Sequence, residues 1–152
     1  MHRRIVPHVV TGEQHLALLP RAASVQDAVL LMYRQKTGAV LIVEDDRLLG
    51  IFTERDLARC TAMHMDLDAT PLGLVMTWKP KTVPPTETPI KALERMQEGS
   101  FRHLPVVDGG RLVGIVSVHD LFRVLRREFD DEPKGCRSYV RSETYEAGQA
   151  AA

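Results

Sequence analysis

The 152-residue chain has only two cysteines, Cys60 and Cys136, and they stand in unlike surroundings. Cys60 closes an expected helix and Cys136 lies in a polar tail, so neither a disulfide framework nor a zinc cluster is read, and a reducing compartment fits. No charge of either sign prevails. Lys plus Arg number 20 and Asp plus Glu number 20, which removes any overall pull toward nucleic acid or an anionic membrane. Long apolar runs are missing as well. The longest, about Ala39 to Val43, is far short of the roughly 20 residues that span a bilayer. The basic opening Met1–Pro7 is not followed by an apolar core or a small-residue cleavage site, so the expectation is a soluble, cytoplasmic protein.

Catalytic signatures are equally scarce. No nucleophile elbow, phosphate loop or metalloprotease helix occurs. Cys60 and His64 are four residues apart, but two ligands do not make a metal site. Neither a catalytic nor a metal-binding residue is assigned, and the chain is not expected to be an enzyme.

What is present is a repeat. Displaced by 64 positions, residues 24–59 align with 88–123 without a gap. Identical pairs include Ala28/Ala92, Met32/Met96, Arg47/Arg111, Gly50/Gly114, Asp56/Asp120 and Arg59/Arg123. Each copy reads as one supersecondary unit. Ser24, with Asp27 as its capping-box partner, and Thr88, with Pro89 behind it, start the first helices. Val25, Ala28, Val29 and Met32, and in the second copy Ile90, Leu93 and Met96, supply an apolar stripe. Strands follow at 39–43 and 104–107, then turns at Asp45-Asp46 and Asp108-Gly109-Gly110, then strands at 48–52 and 112–116. Second helices open at Thr53 and Ser117, and a short extra strand precedes each copy, near 15–18 and at 82–83. A unit of about 60 residues buries too little surface to stand easily alone. The predicted fold is therefore α/β: two β-α-β-β-α repeats packed through their sheets with pseudo-two-fold symmetry. The boundaries are 8–62 for the first repeat, 63–74 for a linker, 75–127 for the second, and 128–152 for a polar, flexible C-terminal tail in which Tyr139, Val140 and Tyr145 leave open a docking arm.

The ordered set Gly50-Ile51-Phe52-Thr53-Glu54-Arg55-Asp56 and Gly114-Ile115-Val116-Ser117-Val118-His119-Asp120, with Val75-Met76-Thr77 and Phe101 to Asp108, resembles cystathionine-β-synthase (CBS) domains in tandem. The resemblance spans about residues 8–127. It implies a paired module with a cleft on each side of the inter-repeat interface, holding AMP, ADP, ATP or S-adenosylmethionine, with no required cofactor. It further implies a homodimer, an unidentified regulated partner and a role in signal transduction. With no length to spare for a catalytic domain, the chain is similar to free-standing members. A ligand-free structural or dimerisation module is the alternative.

The residues suit that chemistry. A carboxylate accepts from both hydroxyls of a ribose, and by resemblance Asp56 and Asp120 are the ribose candidates. A hydroxyl at a helix start suits a phosphate oxygen, which brings in Thr53 and Ser117. Thr-x-x-Asp is also a capping box, and the two uses are compatible. Gly50 and Gly114 would let a ligand approach the backbone. By resemblance, Arg102 and His103 contact phosphate, and His119 beside Asp120 is either a further phosphate group or simply exposed. The resemblance likewise implies Thr77, Thr82 and Val83, with Thr11 in the first copy, as the adenine candidates. The first copy carries Gly38 and Ala39 where the second has Arg102 and His103, so one stronger and one weaker site are expected.

Overall fold

The computed structural model describes residues 3–131; the tail proposed from the sequence lies almost wholly outside them. The first copy contains β1 (Leu18–Leu19), α1 (Val25–Gln35), β2 (Ala39–Glu44), β3 (Arg47–Thr53) and α2 (Glu54–Ala62). A short helix α3 (Leu72–Val75) and β4 (Thr77–Trp78) lead into α4 (Pro89–Gly99), β5 (His103–Asp108), β6 (Arg111–Ser117) and α5 (Val118–Asp131).

The local signals explain where these elements begin and end. Ser24 Oγ accepts from the Asp27 N–H at 3.1 Å, while Asp27 Oδ2 accepts from the Ser24 N–H at 2.9 Å, a reciprocal capping box. Thr88 caps α4 with Pro89 at its first position. Both helices end on a left-handed residue, Lys36 (φ 53°) and Ser100 (φ 54°). The next N–H turns back onto the helix, Thr37 to Met32 O and Phe101 to Met96 O. The hairpin turns place two consecutive residues at positive φ, Asp45-Asp46 and Gly109-Gly110, as tight two-residue hairpins require.

Strands β1-β2-β3-β4 form one sheet, with β1 parallel to β2 and the other pairs antiparallel. Strands β5 and β6 form the other, extended by a parallel bridge between Val83 and Val106. The helical side of the first sheet is sealed by Val25, Ala28 and Met32 of α1 against Val40, Ile42 and Phe52. On the second sheet, Ala92 and Met96 of α4 and Leu121 of α5 pack with Leu104, Val106 and Val116. Ile5 and Val10, from the N-terminal segment of the first copy, complete that second core. The opposite faces meet each other: Ala39, Leu41 and Ile51 are buried against Leu112 and Ile115. Leu41 and Ile51 each contribute about 1.5–3 kcal/mol by leaving water. Losing both would remove a large share of the 5–15 kcal/mol that typically holds a domain together. The pairing of the repeats is therefore part of the fold.

One crossing was not expected from the sequence. Strand β4 belongs to the second copy by the repeat alignment, yet it pairs with β3, Gly50 facing Trp78 and Ile51 facing Thr77. The mirror-image position is filled by a side chain, for Gln14 Oε1 accepts from the Ile115 N–H at 2.8 Å. Each copy thus hands its leading segment to the other, and this exchange builds the walls of two clefts.

Candidate functional site

The starts of α2 and α5 are built alike. The Ser117 N–H and Oγ–H both donate to Asp120 Oδ2, at 2.9 and 2.7 Å, and the Asp120 N–H donates to Ser117 Oγ at 3.2 Å. The Thr53 N–H and Oγ1–H donate to Asp56 Oδ2 at 2.9 and 3.1 Å. Capping therefore occupies one oxygen of each carboxylate and fixes its direction. The other oxygens differ. Asp56 Oδ1 receives Arg59 Nη2 at 3.3 Å, and the same nitrogen donates to the Val75 carbonyl at 2.6 Å. Arg123 stands farther from Asp120 Oδ1, at 4.0 Å, which leaves that oxygen the freer acceptor.

Each helix start borders a cleft completed by the opposite copy. The larger, about 1150 Å³, joins Ser117, His119 and Asp120 to Gln14, Leu16 and the α1–β2 turn at Lys36, Thr37 and Gly38. The smaller, about 290 Å³, joins Thr53 and Asp56 to Thr77, Pro80 and the α4–β5 turn at Ser100 and Phe101. Arg102 and His103 stand between them and line both. A latch crosses the smaller one, where Arg55 Nη1 donates to the Ser100 carbonyl at 2.5 Å.

Gly38 lines both clefts and is closely approached. A Cβ there would lie 3.2 Å from the Glu54 carboxyl group and 3.5 Å from the His103 ring. Burial holds the His103 imidazole below its ordinary pKa of 6.5, and Arg102 and His119 add to the shift while Glu54 and Asp120 oppose it. The folded value lies below the unfolded one. The stability that neutral His103 brings is thus fully present above 6.5 and is lost as pH falls beneath it. His103→Gln is expected to flatten the decline of melting temperature between about pH 7 and pH 5. Parallel declines for variant and parent would contradict this.

Of the residues singled out in the sequence, Ser117, Asp120 and His119 meet at the larger cleft, and Thr53, Asp56 and Thr77 at the smaller. Thr11, Thr82 and Val83 line neither. Thr11 is exposed on the N-terminal segment. The Thr82 carbonyl accepts from Arg95 at 3.4 Å. Val83 is a core residue whose N–H and C=O are both taken by β5, through Pro105 and Val107. Nor do Gly50 and Gly114 open onto a ligand space. Their missing side chains make room for Met76 and the Thr77 carbonyl in one case, and for Gln14 and Val10 in the other. Sequence reasoning passed over Gln14, Leu16, Lys36 and Pro80 as cleft residues. The same 64-residue displacement pairs Leu16 with Pro80 and Lys36 with Ser100, so the signal was available once one member was placed.

Two sandwiched α/β repeats, each lending its helix start to a cleft completed by the other, define a paired two-cleft module. The CBS domain model matches the chain twice, over residues 7–62 and 72–127, and the chain belongs to the CBS-domain family. The arabinose 5-phosphate isomerase KdsD of Yersinia pestis is 38% identical over 121 residues, covering 79% of this chain but only 37% of the isomerase. The chain thus spans little more than a third of that enzyme. Among solved structures, a CBS-domain-containing protein from Agrobacterium tumefaciens superposes with a TM-score of 0.70 at 32% identity, covering 74% of this chain and 90% of that one. A CBS domain protein from Pyrobaculum aerophilum, complexed with AMP, gives 0.69 at 26% identity, covering 78% and 89%. Among the described residues no helix is long and apolar enough to cross a membrane.

Proposed function

We propose that the chain is a regulatory module that binds an adenosine-containing nucleotide in its inter-repeat clefts and signals to a partner protein by changing shape. The observation that carries the reading is the Ser117–Asp120 pair: a carboxylate oriented by its own helix cap, its other oxygen held only by Arg123 at 4.0 Å, at the edge of a cleft of about 1150 Å³. In this reading Asp120 Oδ1 accepts from the ribose hydroxyls. Ser117, Arg102, His103 and His119 face the phosphates, and Leu16, Ile115 and Val118 form an apolar slot for the base. The AMP-bound relative from Pyrobaculum aerophilum supports a nucleotide as ligand. Asp56, Thr53 and Thr77 would serve the smaller cleft, where the Arg59 pair and the Arg55 latch make a weaker site.

The output surface would be helical. Phe122 and Phe129, 56% and 71% exposed, lie seven residues apart on α5, and exposed Ile90 lies on α4; a second copy covering this stripe would give a homodimer. The free, buried Cys60 suits a cytoplasmic setting. The ligand-free alternative draws on the same apolar stripe and on carboxylates already satisfied by capping.

Calorimetric titration with AMP, ADP, ATP and S-adenosylmethionine separates the two. Saturable binding of at least one adenosine compound, with a rise in melting temperature by mass action, is the expected result. No heat and no stabilisation from any of the four would leave the interaction module as the reading.

A further inference from the structure

The repeat relates the two clefts, yet the residues at their mouths are not equivalent. At the smaller cleft Arg55 is tied to the Ser100 carbonyl. The counterparts of these residues at the larger cleft, 64 positions away, are His119 and Lys36. Both are bases, and no hydrogen bond joins them among the described residues. Arg34, in the last turn of α1, lines the same space, while its counterpart in the second copy is Glu98. Arg34, Lys36 and Arg102 thus all line the larger cleft, and among the described residues none of them has an ion pair with a carboxylate. The carboxylates there are Glu54 and Asp120, and one oxygen of Asp120 is committed to its helix cap.

Size points the same way. Small-molecule sites typically measure about 300–1,000 Å³. The smaller cleft, about 290 Å³, falls just under that range and the larger, about 1150 Å³, exceeds it. Cations that line one cleft without carboxylate partners repel one another, and a multivalent anion bound among them relieves that repulsion.

We propose that the larger cleft is selective for nucleosides bearing two or three phosphates, with Lys36, Arg34 and Arg102 receiving the phosphates beyond the first. This rests on the adenosine reading above and adds to it the class of ligand. The basic pair that the first copy lacks at Gly38 and Ala39 is replaced functionally by Lys36 and Arg34 from the preceding helix end.

The test is an equilibrium titration of the whole chain with adenosine, AMP, ADP and ATP, at low and at high salt. The variants are Lys36→Asn, chosen because asparagine tolerates the left-handed backbone, and Lys36→Arg, which keeps the charge. ADP and ATP are expected to bind about tenfold or more tightly than AMP at low salt, the size of one charge-assisted contact, with the margin shrinking at high salt. Lys36→Asn removes most of that margin and leaves adenosine and AMP within about twofold of the parent, whereas Lys36→Arg retains it. If Lys36→Asn melts early, Arg34→Gln at an exposed helix position makes the same test. Equal affinity for AMP and ATP, or an equal loss for all four compounds in the variants, would overturn the proposal while leaving the adenosine site standing. No binding by any of the four would overturn both.

Discussion

Asp120→Ala is expected to weaken adenosine-nucleotide binding at the larger cleft by about a hundredfold or more, because two hydrogen bonds to a charged acceptor contribute about 1.5–3 kcal/mol each. The same substitution also strips the cap. The Ser117 N–H and Oγ–H both donate to Asp120 Oδ2, so a further loss of stability of about 0.5–2 kcal/mol accompanies it. Asp120→Asn separates the two roles. An amide oxygen still accepts from the Ser117 N–H, so the helix start survives, but the charge that strengthens the ribose contacts is gone. The expected pattern is a near-parental melting temperature with binding weakened about tenfold, read by thermal denaturation and calorimetric titration side by side. Asp120→Asn binding as well as the parent would mean that Asp120 is a cap and nothing more. Asp56→Asn is expected to leave this cleft unaffected, since Asp56 borders the other one.

The largest stability effect is expected at Gly50. A Cβ there would lie 2.6 Å from Met76 Sδ and 2.8 Å from the Thr77 carbonyl oxygen. The sulfur can move, but the carbonyl belongs to β4, which is held against β3 at that very residue. Gly50→Val must therefore push β4 off its sheet edge, at a cost of about 3 kcal/mol and roughly 10 °C in melting temperature. Its counterpart behaves differently. A Cβ at Gly114 meets the Oε1 end of the Gln14 side chain at 2.9 Å, and a flexible amide can swing aside at the cost of its bond to Ile115. Gly114→Val should accordingly cost less than Gly50→Val. Equal losses from the pair, in denaturant or thermal unfolding, would contradict the exchange of leading segments described above.

These contrasts also mark how far the chain could be read before its structure. The repeat, its caps and its hairpins were legible because they are local: Ser24 with Asp27, Thr88 with Pro89, and Ser117 with Asp120 each act within four residues. Strand β4 was not, because two residues carry no periodicity and Thr77 finds its partner in the other copy. The placing of Ile5 and Val10 in the second core was hidden for the same reason. At the site, spacing alone marked the helix-start pairs as caps, and the repeat with the family resemblance made them binding candidates. Lys36 and Gln14 could not, since only the pseudo-two-fold axis brings a helix end and a leading segment of the first copy to a helix start of the second. The pairing of Val83 with Val106 was not legible either, because a partner on β5 leaves no local signal around Val83. The arm read around Tyr139 and Tyr145 lies outside the described residues.

The central claim is that the Ser117–Asp120 helix start is a nucleotide site. The most direct measurement is an experimental structure of the protein grown with ADP. It should place the ribose hydroxyls on Asp120 Oδ1 and the phosphates between Ser117, Lys36 and Arg102. A nucleotide bound elsewhere, or a larger cleft left empty at saturating ADP, would contradict it.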